Sequence, residues 1–320
     1  MTSRPHLATI TAMLPFLTKR PALGLEITST ALRLAAVSGK GSKTSVIGTA
    51  RAVVPSGMVN ESYGASNLDN PDDLSRLLRD CLTALGRPDI RRVALCLPDS
   101  VFRAQTLDFD TLPGKAADRE RLIRWRLEKT AAFDVADTAL RYEVLRGQDR
   151  GLTVLACVAK QSVLSQYEAA FTRLGLEPWS IGLSSFSTLN FYAFYLMRRS
   201  PIAVLAHITE DAFATVILEN GGVRFYRYKE IKRGGVDEIR ARIIREIEDS
   251  MHFYSHLDRT KAAEMGHLFL TGDAAASDGL AQGLHDRMAV TVELLSPAVV
   301  LSRGQADPDF AAALGAGGSL

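Results

Sequence analysis

Gly24-Leu25-Glu26-Ile27-Thr28-Ser29-Thr30-Ala31-Leu32-Arg33-Leu34-Ala35-Ala36-Val37 is the stretch that decides the fold. An apolar run meets a small polar turn at Ile27-Thr28, a second apolar run follows, and Ser38-Gly39-Lys40-Gly41 closes it. Two short apolar runs with turn residues between and after them predict a β-hairpin. The pattern returns as Leu205-Ala206-His207-Ile208-Thr209-Glu210-Asp211-Ala212-Phe213-Ala214-Thr215-Val216-Ile217-Leu218, followed by Glu219-Asn220-Gly221-Gly222. Asn220-Gly221 suits a type I′ turn, whose two central residues need positive φ. Val223 to Tyr228 then alternates like a third strand. The first copy has a looser third strand, Thr44 to Val54, stopped by Pro55. A hairpin heading each of two halves predicts a duplicated architecture, with the two polar turns facing each other across a cleft.

The bulk numbers allow this. The chain has 320 residues, a 47% hydrophobic and 23% charged composition, and a net charge of +2. That is enough chain for two lobes, with no global field arguing for nucleic acid or a membrane surface. Cys81, Cys96 and Cys157 lack metal spacing and lie in apolar segments, as buried free thiols of a reducing compartment do. Ser185 to Met197 is apolar but shorter than the roughly 20 residues of a membrane span. Met1 to Arg20 lacks a signal peptide's apolar core and cleavage site. The expectation is a flexible leader on a cytosolic protein that does not insert into the membrane.

Along the chain, Asn70-Pro71-Asp72-Asp73 opens a helix and Gly86 closes it. Val93 to Leu97 and Val101 to Phe109 read as strands, and Lys115 to Lys129 as a charged helix. Arg119, Arg121, Arg124 and Arg126 there alternate with Asp118, Glu120 and Glu128, which predicts local ion pairs rather than an anion site. Strands Leu140 to Leu145 and Leu152 to Ala159 follow, then a helix over Ser162 to Leu174 and a buried helix near Ser185 to Met197. In the second half, Val236, Ile239, Ile243, Ile247, Ser250 and Tyr254 share one helix face. Strand His267 to Thr271, a helix to about Met288 and strand Val290 to Leu295 come next. The expected division is leader 1–20, first lobe 21–92 with 166–200, inserted α/β module 93–165, second lobe 201–305 and an Ala/Gly-rich tail 306–320 with room for one last short helix.

Several motifs together resemble the PilM family, actin-like proteins of type IV pilus assembly related to FtsA. They are Gly24 to Arg33, Leu97-Pro98-Asp99-Ser100, Ala159-Lys160, Gly175-Leu176-Glu177-Pro178-Trp179, Arg227 to Gly235 and Leu270-Thr271-Gly272, in the family's order over about residues 20–302. The cytoplasmic part of the secretion protein GspL is similar too. The resemblance implies an α/β, bilobal actin-like ATPase fold with ribonuclease H-like duplicated lobes and a small inserted subdomain. It implies a nucleotide clamp at Glu26, Thr28, Ser29, Thr30 and Arg33, at His207 and Thr209, at Gly234 and Gly235, and at Thr271, Gly272 and Asp273.

The departures weaken that clamp. The first motif's Asp is Glu26 and its Gly is Thr28, while the second motif's Asp-Ile-Gly is His207-Ile208-Thr209. The third motif's second Gly is Asp273, a negative charge where phosphates are expected. Imidazole cannot replace a hard carboxylate oxygen at magnesium. Glu26 also reads as a partner of Arg33 or another base, His207 as a hydrogen-bonded core residue, and Asp273, or equally Ser277, as a cap of the following helix. ATP and Mg²⁺ are therefore disfavoured as cofactors, with no catalytic residue and no metal site expected.

The resemblance also implies a partner, the short N-terminal cytoplasmic segment of a PilN-like inner-membrane protein. Its groove would lie at the inserted module, along Val101, Arg103, Gln105 and Leu107 and along Val154, Ala156 and Val158. The function expected is a non-catalytic adaptor of a pilus or type II secretion-like assembly, with other pilus or secretion components as further partners. The alternatives are an active actin-like ATPase or small-molecule kinase, and a GspL-like component with a separately encoded membrane part.

Overall fold

The computed structural model describes residues 22–39, 44–87, 90–146, 151–231, 234–257 and 264–318. The leader 1–20, turn residues 40–41 and 147–150, and Lys232-Arg233 of the family motif lie outside them. The chain opens with β1 (Ala22–Ile27), β2 (Ala31–Ser38) and β3 (Ser45–Val53), an antiparallel meander, then α1 (Pro71–Leu85) and β4 (Arg92–Leu97). Asn70 accepts the Asp72 N–H as N-cap and Gly86 ends α1 in the left-handed region, as their residue types dictate. Next come β5 (Arg103–Phe109), α2 (Ala116–Thr130), β6 (Thr138–Arg146), β7 (Leu152–Lys160), α3 (Gln161–Thr172), β8 (Glu177–Leu183) and α4 (Ser184–Arg199). The second half holds β9 (Ile202–Ile208), β10 (Ala212–Glu219), β11 (Gly222–Glu230), α5 (Val236–Leu257), β12 (His267–Thr271), α6 (Leu280–Met288), β13 (Thr291–Leu294) and α7 (Ala311–Gly318).

Two five-stranded sheets run β3-β2-β1-β4-β8 and β11-β10-β9-β12-β13, and a three-stranded sheet runs β5-β7-β6. In both large sheets the first three strands are antiparallel and the last two parallel, so the lobes are equivalent strand by strand. Every residue of central β9 is buried, the continuous apolar run expected of a strand covered on both faces. One core runs from the first sheet through α4 to Ala203 and Leu205 of β9. A second lies between β9, α5 and α6, and a third under α2, where Ile123 and Leu127 cover Val154, Ala156 and Val158.

Four elements depart from the sequence pattern. The pattern opens the inserted module at residue 93, but β4 pairs with β1 and β8 inside the first lobe's sheet. Strand β8 has no sequence prediction, because Pro178 and Trp179 break its apolar run; as an edge strand it tolerates the proline. Val236 is exposed at the head of α5, while Ile243, Ile247, Ser250 and Tyr254 are buried as their spacing requires.

The fourth is the Ala/Gly-rich segment after residue 306, whose composition points to a tail with one last short helix; the helix forms, but not as a tail. Its helix α7 instead packs on β1, β2, β4 and α4, and Ala311 to Ala316 are buried. A Cβ on Gly24 would sit 1.8 Å from the Ala313 carbonyl, and one on Gly315 1.8 Å from that of Ser187. Glycine is what lets these backbones approach.

Candidate functional site between the lobes

The two hairpin turns are built by the same hydrogen bonds. The Thr28 N–H donates to the Ala31 carbonyl at 2.9 Å, and the Thr209 N–H to that of Ala212 at 2.8 Å. The Val54 and Ile231 N–H groups donate to Thr30 and Asp211 at 2.9 and 2.7 Å. Register carries the equivalence upstream: Glu26 lies between Arg33 and Cys96, and His207 between Ala214 and Thr271.

Glu26, Thr28, Ser29, Thr30, Arg33, His207, Thr209, Gly272 and Asp273 line one cleft. Thr271 is buried behind it, while Gly234 and Gly235 are exposed ahead of α5 and do not line it. Gly272, at φ 105, lets the third turn pass against β9, since a Cβ there would lie 2.1 Å from the Ile208 carbonyl. Among the lining residues outside the predicted clamp are Glu61, Asp99, Tyr228 and Asp309. Asp99 lies in the quoted Leu97 to Ser100 motif. Glu61 comes from the β3–α1 loop and Asp309 from the approach to α7, where no spacing announces them.

Arg33 is the hub. Its guanidinium bonds Glu26 at 3.1 Å and Asp309 at 3.0 Å, and reaches Asp273 of the second lobe at 3.5 Å. The pairing with Glu26 is the one its position on β1 predicts; Asp273 serves as a bridge between lobes rather than as a helix cap. Burial lifts the Glu26 carboxyl to about 6 against the pull of Arg33. Burial lowers Arg33, but Glu26 and Asp309 outweigh it and hold its pKa up. His207 departs from its expectation of a hydrogen-bonded core residue. It is buried, neither ring nitrogen has a partner among the described residues, and burial with nearby Arg33 lowers its pKa to about 4. Asp99 ties the lobes a second time, accepting from the Ser185 hydroxyl and N–H and, at 2.8 Å, from the Tyr226 hydroxyl on β11.

The backbone donors of the first turn, Thr28 to Ala31, are already engaged. The Ser29 N–H donates to Glu61 Oε1 at 2.6 Å, and the Thr30 and Ala31 N–H groups to Thr28 Oγ1 at 3.3 and 2.9 Å. Seven carboxylates line the described cleft against one guanidinium, and that guanidinium is shared among three of them. The cavity measures about 70 Å³, where ligand pockets hold roughly 300–1,000 Å³. In this arrangement the first turn's donors and the guanidinium face acceptors of the chain itself.

At the inserted module, β7 is the central strand, and Val154, Ala156 and Val158 lie in the module's own core. Val101 and Leu107 are buried as well. Of the groove residues expected from sequence, only Arg103 and Gln105, on edge strand β5, keep exposed surface. The arginines of α2 are spent locally, Arg121 on Asp118, Arg124 on Glu120 and Arg119 on the Pro113 carbonyl.

No protein-family model matches the chain, and no curated protein does. Solved structures do. A structure described as the "PilM-PilN type IV pilus biogenesis complex" superposes at TM-score 0.80 and 19% identity, over 95% of this chain and 100% of that one. The fold is actin-like. A Bacteroides thetaiotaomicron protein with actin-like ATPase fold and unknown function matches at TM-score 0.50 and 11% identity, over 92% and 96% of the two chains. The cytoplasmic domain of EpsL, an inner-membrane component of the type II secretion system of Vibrio cholerae, matches at 0.47 and 11% identity, over 92% and 93%, too slight a likeness to argue from. No helix among the described residues is long and apolar enough to cross a membrane.

Proposed function

We propose that this chain is an adaptor of a type IV pilus-type inner-membrane assembly, binding the short cytoplasmic leader of a PilN-like membrane protein without turning over nucleotide. One observation carries the reading: the likeness to the PilM–PilN complex extends over 95% of this chain, more than the two lobes without the inserted module could supply. The cleft supports the second half, since the donors of its first turn and its one guanidinium are already engaged. The docking place is the seam between the first lobe and the module, along β5, which pairs only with β7 among the described strands. An extended segment added there gains main-chain hydrogen bonds, with Arg103 and Gln105 in reach. Through that partner the protein would work at the inner membrane.

The test is a titration of the full chain with a synthetic peptide of the cytoplasmic leader of a PilN-like membrane protein, followed by hydrogen exchange. Saturable binding near micromolar, about −8 kcal/mol, with protection over residues 103–109, supports the reading. Absence of saturable binding, or protection confined to the second lobe, overturns it.

A further inference from the structure

Glu61 sits on the loop that joins β3 to α1, and this loop touches three separate parts of the molecule. At its start the Val54 N–H binds Thr30 of the first cleft turn. Its far side is tied to α3, where Gln166 Oε1 accepts the Asn67 and Leu68 N–H groups at 2.9 Å each. An Asn60–Asn67 bond and a Val59–Leu68 bridge close the loop on itself, and buried Asn67 accepts the Ser62 N–H. The loop is thus an internally bonded unit, not a slack connection.

Two side chains, two residues apart, project from it in different directions. Glu61 reaches the cleft and takes the Ser29 N–H at 2.6 Å, the donor that an actin-type clamp offers to phosphate. Tyr63 reaches the inserted module. Its hydroxyl donates to the Asp134 carbonyl at 2.6 Å, its ring meets Phe133 edge-on, and Arg103 of β5 lies over its face at 4.7 Å. Burial raises both ionisations, with Asp211 and Asp273 across the cleft adding to the effect on Glu61.

We propose that Glu61 is a built-in occupant of the first turn's anion position, and that through Tyr63 it holds the 55–69 loop against the inserted module. An oxyanion arriving at Ser29 must displace the Glu61 carboxylate, because one N–H serves one strong acceptor at that distance. Displacing Glu61 moves the loop that also carries Tyr63, so a filled turn and a clamped module exclude each other. The cleft then acts on the edge strand β5 without chemistry. This holds whether or not a PilN-like leader is the module's partner, so its failure and that of the adaptor reading are separable.

The test is residue-resolved hydrogen exchange on the full chain and on E61A, E61Q and Y63F, with and without inorganic phosphate. In E61A, exchange at Ser29 and over residues 131–137 rises about tenfold or more, the loss of one charge-assisted hydrogen bond, and phosphate restores protection at Ser29 alone. E61Q, which keeps an acceptor oxygen, shows the same pattern more weakly and stands in should E61A fold poorly. Y63F speeds 131–137 and leaves Ser29 protected. The proposal is overturned if the Glu61 variants exchange like the wild type at both places, or if phosphate protects Ser29 equally in the wild type.

Discussion

Arg33 of the first lobe and Asp273 of the second meet across the cleft, Nη2 to Oδ2, at 3.5 Å. The same guanidinium holds Glu26 on its own sheet and Asp309 ahead of α7, so one side chain joins both lobes to the C-terminal segment. A network of the chain's own side chains thus spans the gap between the lobes. The Asp99–Tyr226 bond is a second tie of the same kind.

Removing the cation from this network leaves buried carboxylates uncompensated. Breaking a buried pair from one side typically costs 3–5 kcal/mol, and the partial exposure of Asp273 and Asp309 argues for the lower end. Arg33→Met is expected to lose about 3 kcal/mol in urea denaturation at neutral pH, while Asp273→Asn loses under about 1 kcal/mol. Equal losses in the two variants would contradict the hub role of Arg33.

Helix α7 makes its own prediction. Gly315→Ala drives a methyl into the Ser187 carbonyl and Gly24→Ala drives one into that of Ala313. Overpacking of this sort costs about 1–3 kcal/mol, and more where backbone is the obstacle. Each variant should lose roughly 3 kcal/mol, and the exposed Gly64, with nothing near its Cβ, should accept alanine at little cost. A stable Gly315→Ala protein would mean that α7 is not docked in solution.

How much of this was legible beforehand follows from the range of each interaction. The hairpins were, because apolar runs around Thr28 and Thr209 are local patterns, and the duplicated hydrogen bonds follow from duplicated residues. Glu26 with Arg33 was, since seven positions across a tight hairpin place them opposite each other. Glu61 was not, lying 32 positions from Ser29, nor Asp309, 276 positions from Arg33. That the β7 side of the expected groove is buried was hidden for another reason. Alternation in β7 marks two faces but not what covers them; Val154, Ala156 and Val158 face the module's core while Leu155, Cys157 and Ala159 face the first lobe's, so neither face is free.

Acidity should act on the cleft through two groups of opposite sign. His207 has a folded pKa depressed from 6.5 to about 4, so its contribution is full above pH 6.5 and is lost as pH falls toward 4. Glu26 is raised from 4.5 to about 6, so the folded state takes up its proton first and gains stability over the same interval. Between pH 7 and 5 these amount to about 2 kcal/mol lost and about 1 kcal/mol regained. His207→Gln should remove the loss, leaving a variant that grows more stable on mild acidification while the wild type weakens. Denaturant midpoints at pH 7 and pH 5 decide this, and parallel shifts in both proteins would refute it.

The last prediction concerns nucleotide. A triphosphate entering this cleft must displace Glu61 from Ser29, break Arg33 away from three carboxylates and stand among the others that line it. Each displaced hydrogen bond to a charged group forfeits about 1.5–3 kcal/mol. Three such losses, about 5 kcal/mol or more, carry a micromolar site past millimolar. Titration calorimetry of the full chain with Mg-ATP is therefore expected to show no binding in the micromolar range, and the Glu61→Ala, Asp273→Asn double variant should bind more tightly than the wild type. A low-micromolar wild-type constant would show that the turn releases Glu61 readily, and that the cleft is a working nucleotide site.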